Sequence, residues 1–487
     1  MIVIYIFGFI YGAAMLFILI YSLAQAHLLF HFIRNKNQSQ IAPTDPHGDL
    51  PLVTVQLPIY NERYVVERLI EAVNAFHYPA DKLQIQILDD STDQTSELIL
   101  NKIKKYPQLD IQYLRRKDRK GYKAGALKEG LEKAKGEFIA IFDADFVPDP
   151  DFLMKILPHF ANPKVGMVQS RWTHLNRGYS LLTQLQAFAL DAHFLVEQVG
   201  RNRQHAFMNF NGTGGIWRKA CILDAGNWQA DTLTEDLDLS YRAQARDWKF
   251  VYRPDVESPA ELPPVMSAIK SQQYRWNKGG AECARKHLLE VLKGDYSFKI
   301  KFHAFAHLLN SSIFVAVLVS SLSSVLLWWA IGQGWIPPDF FRFGAFFFIG
   351  FVIIALVYLF AFYYGKGRFW RKTLQVVWQL PLFLAVSMGL SLHNSLAVVE
   401  GFMGKKSPFV RTPKFNLGEK DGHWKRNSYL NFKMPFVTFL EGAMALVFLS
   451  IVLFSLKWGI YMMLPFHLML VVGYGVVFIT SYKSYKV

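Results

Sequence analysis

The sequence is poor in the residues and motifs that place many proteins in a class directly. Only two of its 487 residues are cysteines, Cys221 and Cys283, and they lie far apart. Two isolated cysteines supply neither a disulfide framework nor a cysteine zinc site, and they favour a reducing compartment. The sequence contains no GxGxxG, GxxxxGKS or GxxxxGKT run. The phosphate-binding loops of dinucleotide-dependent dehydrogenases and P-loop NTPases are therefore missing.

Charged residues are also scarce, at 19%, whereas 52% of the residues are apolar. This composition is too apolar for a disordered chain and too charged for a chain that lies wholly within a membrane. The formal net charge of +15 suits nucleic acid, an anionic substrate or the cytoplasmic face of a membrane, and it does not distinguish these partners. The positions of the apolar residues are therefore more informative than their number.

Long apolar runs lie at both ends of the chain. The first extends from Ile2 to about Phe32, ends at Arg34 and Lys36, and is long enough to cross a bilayer. A cleaved signal peptide is the alternative, but no Lys or Arg precedes the apolar core and that core is too long. Four further runs occupy residues 307–331, 343–364, 435–456 and 460–480. We predict that these five runs span a membrane.

The stretch 374–403 is ambiguous because polar residues, including His393 and Glu400, interrupt it. Lys and Arg collect in cytoplasmic loops, and they cluster at 34–36, 366–372, 405–426 and 483–486. A single crossing by 374–403 would separate the basic loop at 405 from the soluble region. We therefore predict a re-entrant or interfacial segment, an outside N-terminus and a cytoplasmic C-terminus, with a sixth span as the alternative.

Residues 50–260, after a linker at 34–49, have the pattern of a soluble α/β domain. Apolar strands alternate with amphipathic helices such as 64–76 and 123–135. The predicted strands are 53–57, 85–88, 111–114, 138–142 and 166–169. This alternation favours a mostly parallel sheet with helices on both faces, in which ligands bind beyond the carboxyl ends of the strands.

Polar and acidic residues follow three of these strands. Tyr60 and Glu62 follow the first, Asp90 follows the second, and Asp143 and Asp145 follow the fourth. Carboxylates repel an anionic ligand unless a divalent cation lies between them. Asp143 and Asp145 can offer oxygen ligands to Mg²⁺ or Mn²⁺, whose charge would stabilise a departing diphosphate. For an isolated Asp-x-Asp, a solvated turn is the alternative.

Two helical motifs add candidate residues. Thr234-Glu235-Asp236 opens a predicted helix; it is either an acidic helix start or the source of a general base, Asp236. Gln272, Arg275 and Trp276 share one helical face. That face either packs against the protein as an ordinary amphipathic helix does, or it offers a ligand an amide, a diphosphate-binding cation and a stacking platform for a sugar ring.

The turn 211–215 is the last candidate. It contains Gly212 and Thr213 and is rich in glycine. By default it is a tight turn, and as part of a site its exposed amides could line a polar acceptor channel.

Taken together, these residues resemble the processive membrane-bound enzymes of glycosyltransferase family 2. The motifs that carry the resemblance are Asp89-Asp90-Ser91, Asp143-Ala144-Asp145, Thr234-Glu235-Asp236 and the QxxRW at 272–276. The resemblance covers nearly the whole chain. It implies an α/β GT-A domain, with a mostly parallel sheet and flanking helices, inserted between an N-terminal transmembrane helix and a C-terminal α-helical membrane region. Amphipathic interface helices at 261–302 would precede that region, at 303–487.

The same resemblance implies a role for each candidate residue. Asp236 would be the catalytic base, and Asp143 and Asp145 would bind the metal. The implied donor and nucleotide contacts are Tyr60, Glu62, Asp90, Lys123, Asp143 and Arg275, and the implied acceptor contacts are Gln272, Trp276, Gly212 and Thr213.

Within the family the chain resembles in particular the cellulose-synthase-like glucomannan (mannan) synthases and the β-1,4-glucan synthases. The stretches 56–62, 119–127 and 231–243 carry this similarity. The loop 404–433, through Phe409, Thr412 and Lys414, is similar to the FxVTxK gating loop of cellulose synthases and departs from it at Arg411. No cyclic-dinucleotide module follows the last span, so the regulation seen in bacterial cellulose synthases is not expected.

The resemblance implies an inverting, processive transferase that moves a hexose from GDP-mannose or UDP-glucose to a β-1,4-linked polysaccharide and threads the product across the membrane. The implied partners are the nucleotide sugar, the polysaccharide and membrane lipids, without nucleic acid; export partners are not identified. The catalytic domain would face the cytoplasm, at the inner or plasma membrane if the source is bacterial.

Three alternatives compete with this function. A non-processive enzyme similar to ceramide glucosyltransferases, acting on a membrane lipid, shares nearly all of the motifs. A transporter is disfavoured because the sequence has no internal repeat and few charges within its apolar runs. A silent scaffold would be expected to lose an acidic motif, and none is lost.

Overall fold

The computed structural model describes residues 2–34, 49–337, 348–364, 369–417, 424, 427–430 and 433–485. Within these residues one mixed sheet has the strand order β3-β2-β1-β4-β6-β5-β7. Its strands are β1 (Val53–Ile59), β2 (Leu83–Asp89), β3 (Asp110–Arg115), β4 (Phe138–Ile141), β5 (Val165–His174), β6 (Gly215–Arg218) and β7 (Lys249–Ala260). All five predicted strands are present. β6 and β7 were not predicted.

The sheet is mostly parallel, as expected. β1 pairs in parallel with β2 and β4, β2 with β3, and β5 with β7, whereas β6 is antiparallel to both of its neighbours. β7 escaped prediction because it contains Pro254 and Pro259, and proline argues against a central strand. Its place at the edge of the sheet explains why the prolines are tolerated.

Helices cover both faces of the sheet and form most of the remainder of the described chain. They are α1 (Ile2–Arg34), α2 (Val66–Asn74), α3 (Thr95–Ile103), α4 (Tyr122–Lys133), α5 (Phe152–Ile156), α6 (Leu181–Ala192), α7 (Gln198–Arg203), α8 (Lys219–Asp224), α9 (Glu235–Gln244), α10 (Met266–Lys293), α11 (Phe298–Leu308), α12 (Ser312–Gly332), α13 (Phe348–Tyr364), α14 (Phe369–Gly389), α15 (Ser391–Phe402), α16 (Phe436–Trp458) and α17 (Leu464–Tyr485).

The domain has a hydrophobic core on each face of the sheet. One core contains Leu69 of α2 and Phe152 of α5, and the other contains Leu127 of α4 and Leu239 of α9. This two-sided burial explains why most strands read as continuous apolar runs. Phe32 of α1 also lies in the second core, so the N-terminal apolar helix packs directly against the sheet domain.

Four described helices, α1, α12, α16 and α17, are long and apolar enough to cross a membrane. They indicate a membrane protein. The predicted span 307–331 corresponds to α12 but begins too early, because α11 ends at Leu308 and α12 begins at Ser312. α13 has 17 residues, and part of its predicted span, 343–347, lies outside the described residues.

The ambiguous stretch 374–403 forms two helices bent by 52° at a break. The bend between α14 and α15 fits either a broken span or a re-entrant loop. The number of spans and the orientation in the membrane therefore stay predictions, as do the domain boundaries at 50, 260 and 303. Residues 35–48 of the linker and parts of the basic loops lie outside the described residues.

The helix that carries QxxRW, α10, joins the sheet domain to the membrane helices. The buried Lys270 Nζ donates to Glu441 Oε2 of α16 at 2.5 Å, and the backbone carbonyl of Lys270 lies 3.0 Å from His393 Nε2 of α15. A buried charge pair is tightly constrained, since losing either partner leaves an uncompensated charge. α10 is thereby held at a defined position beneath the sheet domain.

Candidate active site

The predicted site residues surround one cavity beyond the carboxyl ends of β1, β2 and β4, closed from the other side by α10 and the loop 404–417. The cavity has a volume of about 190 Å³. The predicted residues that line it are Tyr60, Glu62, Asp90, Lys123, Asp143, Asp145, Gly212, Asp236, Gln272, Arg275, Trp276, Phe409, Thr412 and Lys414. Since these residues come from distant parts of the chain, their convergence depends on the tertiary fold.

One end of the cavity combines an aromatic ring with a paired carboxylate. Asp90 follows β2 and accepts two hydrogen bonds from Arg116, of which the Nε–Oδ1 bond is 2.8 Å long. The guanidinium of Arg119 lies 3.3 Å from the centre of the Tyr60 ring. Asp89, the residue before Asp90, is instead buried and accepts hydrogen bonds within the domain. An aromatic face beside a carboxylate and two guanidinium groups can recognise a nucleoside.

Asp143 and Asp145 lie at the middle of the cavity, after β4, and each is paired with a lysine. Lys123 Nζ donates to Asp143 Oδ1 at 2.6 Å and to the Gly212 carbonyl at 2.9 Å. Lys414 Nζ donates to Asp145 Oδ2, also at 2.6 Å. Burial opposes the charge of Lys123, but Asp143 and Glu235 outweigh it and raise the pKa of this lysine. Lys123 is therefore a fixed cation beside the Asp-x-Asp motif.

Thr213 is the predicted site residue that does not line this cavity. Its hydroxyl accepts a hydrogen bond from the Asp143 backbone N–H at 2.9 Å, and its side chain is fully buried. The Thr213 side chain therefore holds the Asp143 backbone at the end of β4. An acceptor contact through the backbone amides of the turn 211–215 stays a prediction.

The acidic residues satisfy only part of what a metal ion requires. Among the described residues, no group of three His, Cys, Asp or Glu side chains could hold a metal ion. Asp143 and Asp145 nevertheless present hard oxygen atoms to one cavity, which suits Mg²⁺ or Mn²⁺. Such an ion would need further oxygen ligands, which a diphosphate can supply.

Asp236 lies in the first turn of α9 and faces the cavity. Its Oδ1 accepts the Leu237 backbone N–H at 2.9 Å, and its Oδ2 faces Gly212, where a Cβ would lie only 3.0 Å away. Burial, reinforced by the charge of Glu235 and opposed by Lys123, raises the pKa of Asp236 to about 7. A carboxylate with this pKa suits general-base catalysis near neutral pH. The Thr234 side chain makes no capping hydrogen bond, so the simple helix-cap interpretation of this motif is not supported.

α10 supplies a cation and an aromatic ring to the opposite wall. Arg275 Nη2 donates to Thr412 Oγ1 at 2.7 Å, and its guanidinium lies 4.6 Å from the centre of the Phe409 ring. Gln272 and Trp276 line the same cavity. The three QxxRW side chains are thus presented to the site on one helical face, as their spacing predicts.

The loop 404–417 covers the cavity. Arg411 Nη1 lies 2.7 Å from Glu62 Oε2, and the Phe409 ring stacks on Tyr122 at 5.7 Å. Burial raises the pKa of Glu62 to about 7, although Arg411 and Lys414 oppose the shift. The gating-like residues therefore reach the predicted site, and Arg411, where the sequence departs from the FxVTxK pattern, makes its own contact with a predicted site residue.

Sequence reasoning missed several residues that lie at this site. Arg116 and Arg119 follow β3, and an alignment of strand ends would have indicated them, because Asp90 follows the adjacent parallel strand. Trp172 and His174 also line the cavity. They were missed because β5 continues to His174, five residues beyond the predicted strand end at 169.

One family model matches the part of the chain that carries the predicted motifs. Residues 51–279 match the family described as "Glycosyltransferase like family 2". This range contains the three acidic motifs and QxxRW. It begins just before β1 and ends within α10.

Curated relatives match about half of the chain. The glucomannan 4-beta-mannosyltransferase 2 of Arabidopsis thaliana is 42% identical over 280 residues, which are 56% of this chain and 52% of that protein. A glucomannan 4-beta-mannosyltransferase 1 of Cyamopsis tetragonoloba is 45% identical over 249 residues, or 50% of this chain and 47% of that protein. The chain thus spans about half the length of the curated relatives that it matches.

Among solved structures, the mannosyltransferase PcManGT from Pyrobaculum calidifontis, in complex with GDP-Man and Mn²⁺, has a similar fold. The TM-score is 0.54 at 20% sequence identity, and the match covers 81% of this chain and all of that one, 100%. Together with the mixed, mostly parallel sheet and its flanking helices, this similarity shows the predicted GT-A fold.

Proposed function

We propose, from the premise that residues 51–279 form a domain of glycosyltransferase family 2, that the chain is an inverting hexosyltransferase. It transfers a hexose from a nucleotide sugar to a β-1,4-linked polysaccharide and works processively. The observation that carries the proposal is the convergence of the Asp-x-Asp carboxylates, Asp236 and the QxxRW face on one cavity. The names of the relatives, glucomannan 4-beta-mannosyltransferases, support the polysaccharide acceptor.

The nucleotide part of the donor occupies the end of the cavity near Tyr60 and Asp90. Its diphosphate lies toward Lys123 and Arg275, whose charges offset the phosphate oxygens. Asp143 and Asp145 would hold a divalent cation, Mg²⁺ or Mn²⁺, and Lys414 would then no longer pair with Asp145. Such a cation would supply positive charge that stabilises the departing diphosphate.

Asp236 acts as the base for the acceptor. Its carboxylate removes the proton from an acceptor hydroxyl as the hydroxyl oxygen bonds to the anomeric carbon of the donor sugar. The bond from that carbon to the diphosphate oxygen breaks, and the diphosphate takes the electron pair. A single displacement needs one base and inverts the anomeric configuration, and one carboxylate in this position, with a pKa of about 7, suits it.

The acceptor approaches from the α10 side. Gln272 and Trp276 present an amide and an aromatic face there, and sugar rings stack on aromatic faces. Because α10 is joined to α16 through the Lys270–Glu441 pair, the acceptor end lies where the sheet domain meets the membrane helices. The product is threaded between those helices, with the sheet domain on the cytoplasmic side.

Transfer assays with the full chain in lipid nanodiscs test this function. The protein receives radiolabelled GDP-mannose or UDP-glucose with Mn²⁺ or Mg²⁺, and products are separated by size. The proposal predicts a long product that an endo-β-1,4-mannanase or β-1,4-glucanase cleaves. GDP-mannose is the first donor to test because the relatives are named mannosyltransferases. Asp236→Asn is the matched inactive control.

Two outcomes would contradict parts of the proposal. A short, lipid-soluble product would show a lipid acceptor and exclude polymer synthesis. A product of normal length from Asp236→Asn would show that Asp236 is not the base. No transfer from any nucleotide sugar would refute the hexosyltransferase function itself.

A further inference from the structure

The end of β5 presents a histidine to the cavity that the proposed mechanism does not use. The side chain of His174 is 2% exposed and lines the cavity. Neither of its ring nitrogens has a hydrogen-bonding partner among the described residues. Its nearest recorded carboxylate, Asp191 Oδ1, lies 3.9 Å from Nε2, which is beyond hydrogen-bonding distance. Buried polar groups are rarely left unpaired, so these nitrogens indicate a ligand.

The alternation of side chains along β5 determines which way this histidine points. Residues 171–174 pair with 257–260 of β7, and the register shift that precedes them adds residues to β7 and none to β5. Trp172 and His174 lie two residues apart on this continuous stretch, so they face the same side, and both line the cavity. Trp172 Nε1 donates to the Thr213 carbonyl at 3.2 Å, which fixes the indole beside His174.

The charge state of His174 restricts the chemistry of that ligand. Burial, with the nearby Arg177 and Arg171, lowers the pKa of His174 to about 3. The imidazole is therefore neutral at physiological pH and offers one N–H donor and one nitrogen acceptor. Two hydroxyl groups can satisfy the pair, one as acceptor and one as donor, whereas a phosphate would favour a cation. A neutral polyol such as a sugar is the matching class of ligand.

The order of the strands assigns His174 to one half of the cavity. Tyr60 and Asp90 follow β1 and β2, on one side of β4 with its Asp143, whereas His174 ends β5 on the other side. The second half also adjoins the membrane helices, since Phe188 of α6 stacks on Tyr358 of α13 at 4.7 Å. The nucleotide end and the His174 end are thus separated by the Asp-x-Asp motif.

We propose that His174 binds the acceptor saccharide by hydrogen bonds to sugar hydroxyls, with Trp172 as the adjoining wall. This inference rests on the proposed function, because it takes the other half of the cavity to be the donor site. His174 would then determine acceptor affinity without affecting the donor.

Binding measurements test the inference without requiring turnover. The full chain in nanodiscs is titrated calorimetrically with β-1,4-mannotetraose, cellotetraose and GDP-mannose. Loss of one hydrogen bond in His174→Phe is expected to weaken binding of a tetraose about tenfold. GDP-mannose affinity stays unchanged, and His174→Gln, which keeps a donor and an acceptor, retains most of the tetraose affinity. His159→Phe is the matched control, a buried histidine that is not among the residues lining the cavity.

The outcomes separate this inference from the proposed function. Equal tetraose affinity in His174→Phe and the wild type overturns it, as does a wild type that binds neither tetraose. Loss of GDP-mannose affinity in His174→Phe also overturns it, because the effect would not be specific to the acceptor. If the wild type binds a tetraose through His174 but transfers no sugar from any donor, the saccharide site stands and the proposed transferase function fails.

Discussion

The pH dependence of sugar transfer is the sharpest test of the assigned base. Burial raises the pKa of Asp236 to about 7, and Glu235 adds to the shift. A base must be deprotonated to act, so activity is lost as the pH falls through this pKa. For one group with a pKa of about 7, kcat/KM is expected to rise about tenfold between about pH 6 and about pH 8. Initial rates of radiolabelled transfer at saturating metal measure this profile.

Removing a charge that raises the pKa of Asp236 should move the pH profile of sugar transfer. Glu235→Gln deletes the neighbouring negative charge that disfavours ionisation of Asp236. The pKa of Asp236 then falls, and the acidic limb of the profile moves to lower pH. The midpoint of the acidic limb is the quantity to compare, because a general loss of activity would lower every rate without moving that midpoint.

Glu62 complicates the assignment because burial also raises its pKa to about 7. Glu62→Gln provides the control. If Asp236 causes the acidic limb of the profile, the midpoint of that limb is the same in Glu62→Gln as in the wild type, whatever the absolute rate. A midpoint that disappears in Glu62→Gln, or that stays in place in Glu235→Gln, would refute the reasoning.

Three further predictions concern the metal, the membrane interface and the orientation. EDTA should abolish transfer, and Mn²⁺ or Mg²⁺ should restore it. Asp145→Asn should need more metal for half-maximal activity. Transfer that resists EDTA would show that Asp143 and Asp145 do not bind a required metal ion. Lys270→Met should lower the free energy of unfolding by about 3–5 kcal/mol, because Glu441 is left buried without its partner. The double variant Lys270→Met/Glu441→Leu should recover most of this loss. Thermal unfolding of nanodisc samples measures both effects. In sealed inside-out vesicles, added protease should cleave the sheet domain, whereas protection in those vesicles and cleavage in intact cells would reverse the predicted orientation.

The architecture of the sheet domain was largely predictable because its signals are local. Strands buried on both faces read as apolar runs, and the residues that follow parallel strands meet at one edge. β7 was not predictable in this way, since Pro254 and Pro259 are acceptable only at a sheet edge, which depends on the complete strand order.

The candidate site also combines features that local sequence predicts with features that depend on the tertiary fold. The spacing of Gln272, Arg275 and Trp276 already places them on one helical face. The contact between Lys414 and Asp145 joins residues 269 positions apart, and no local pattern indicates it. Thr213 was assigned to the acceptor through the exposed amides of its glycine-rich turn, and only the packing of that turn shows that its hydroxyl binds the Asp143 backbone.

The sequence by itself determined the class of the domain, the positions of the acidic motifs at strand ends and the apolar helices, because each depends on residues that are close along the chain. Only the tertiary structure decided which charges pair and which side chains share the cavity. Arg411 meets Glu62, and His174 reaches the cavity because β5 continues five residues beyond its predicted end. Such contacts depend on how elements pack and align across the whole chain, and periodicity and composition do not contain that geometry.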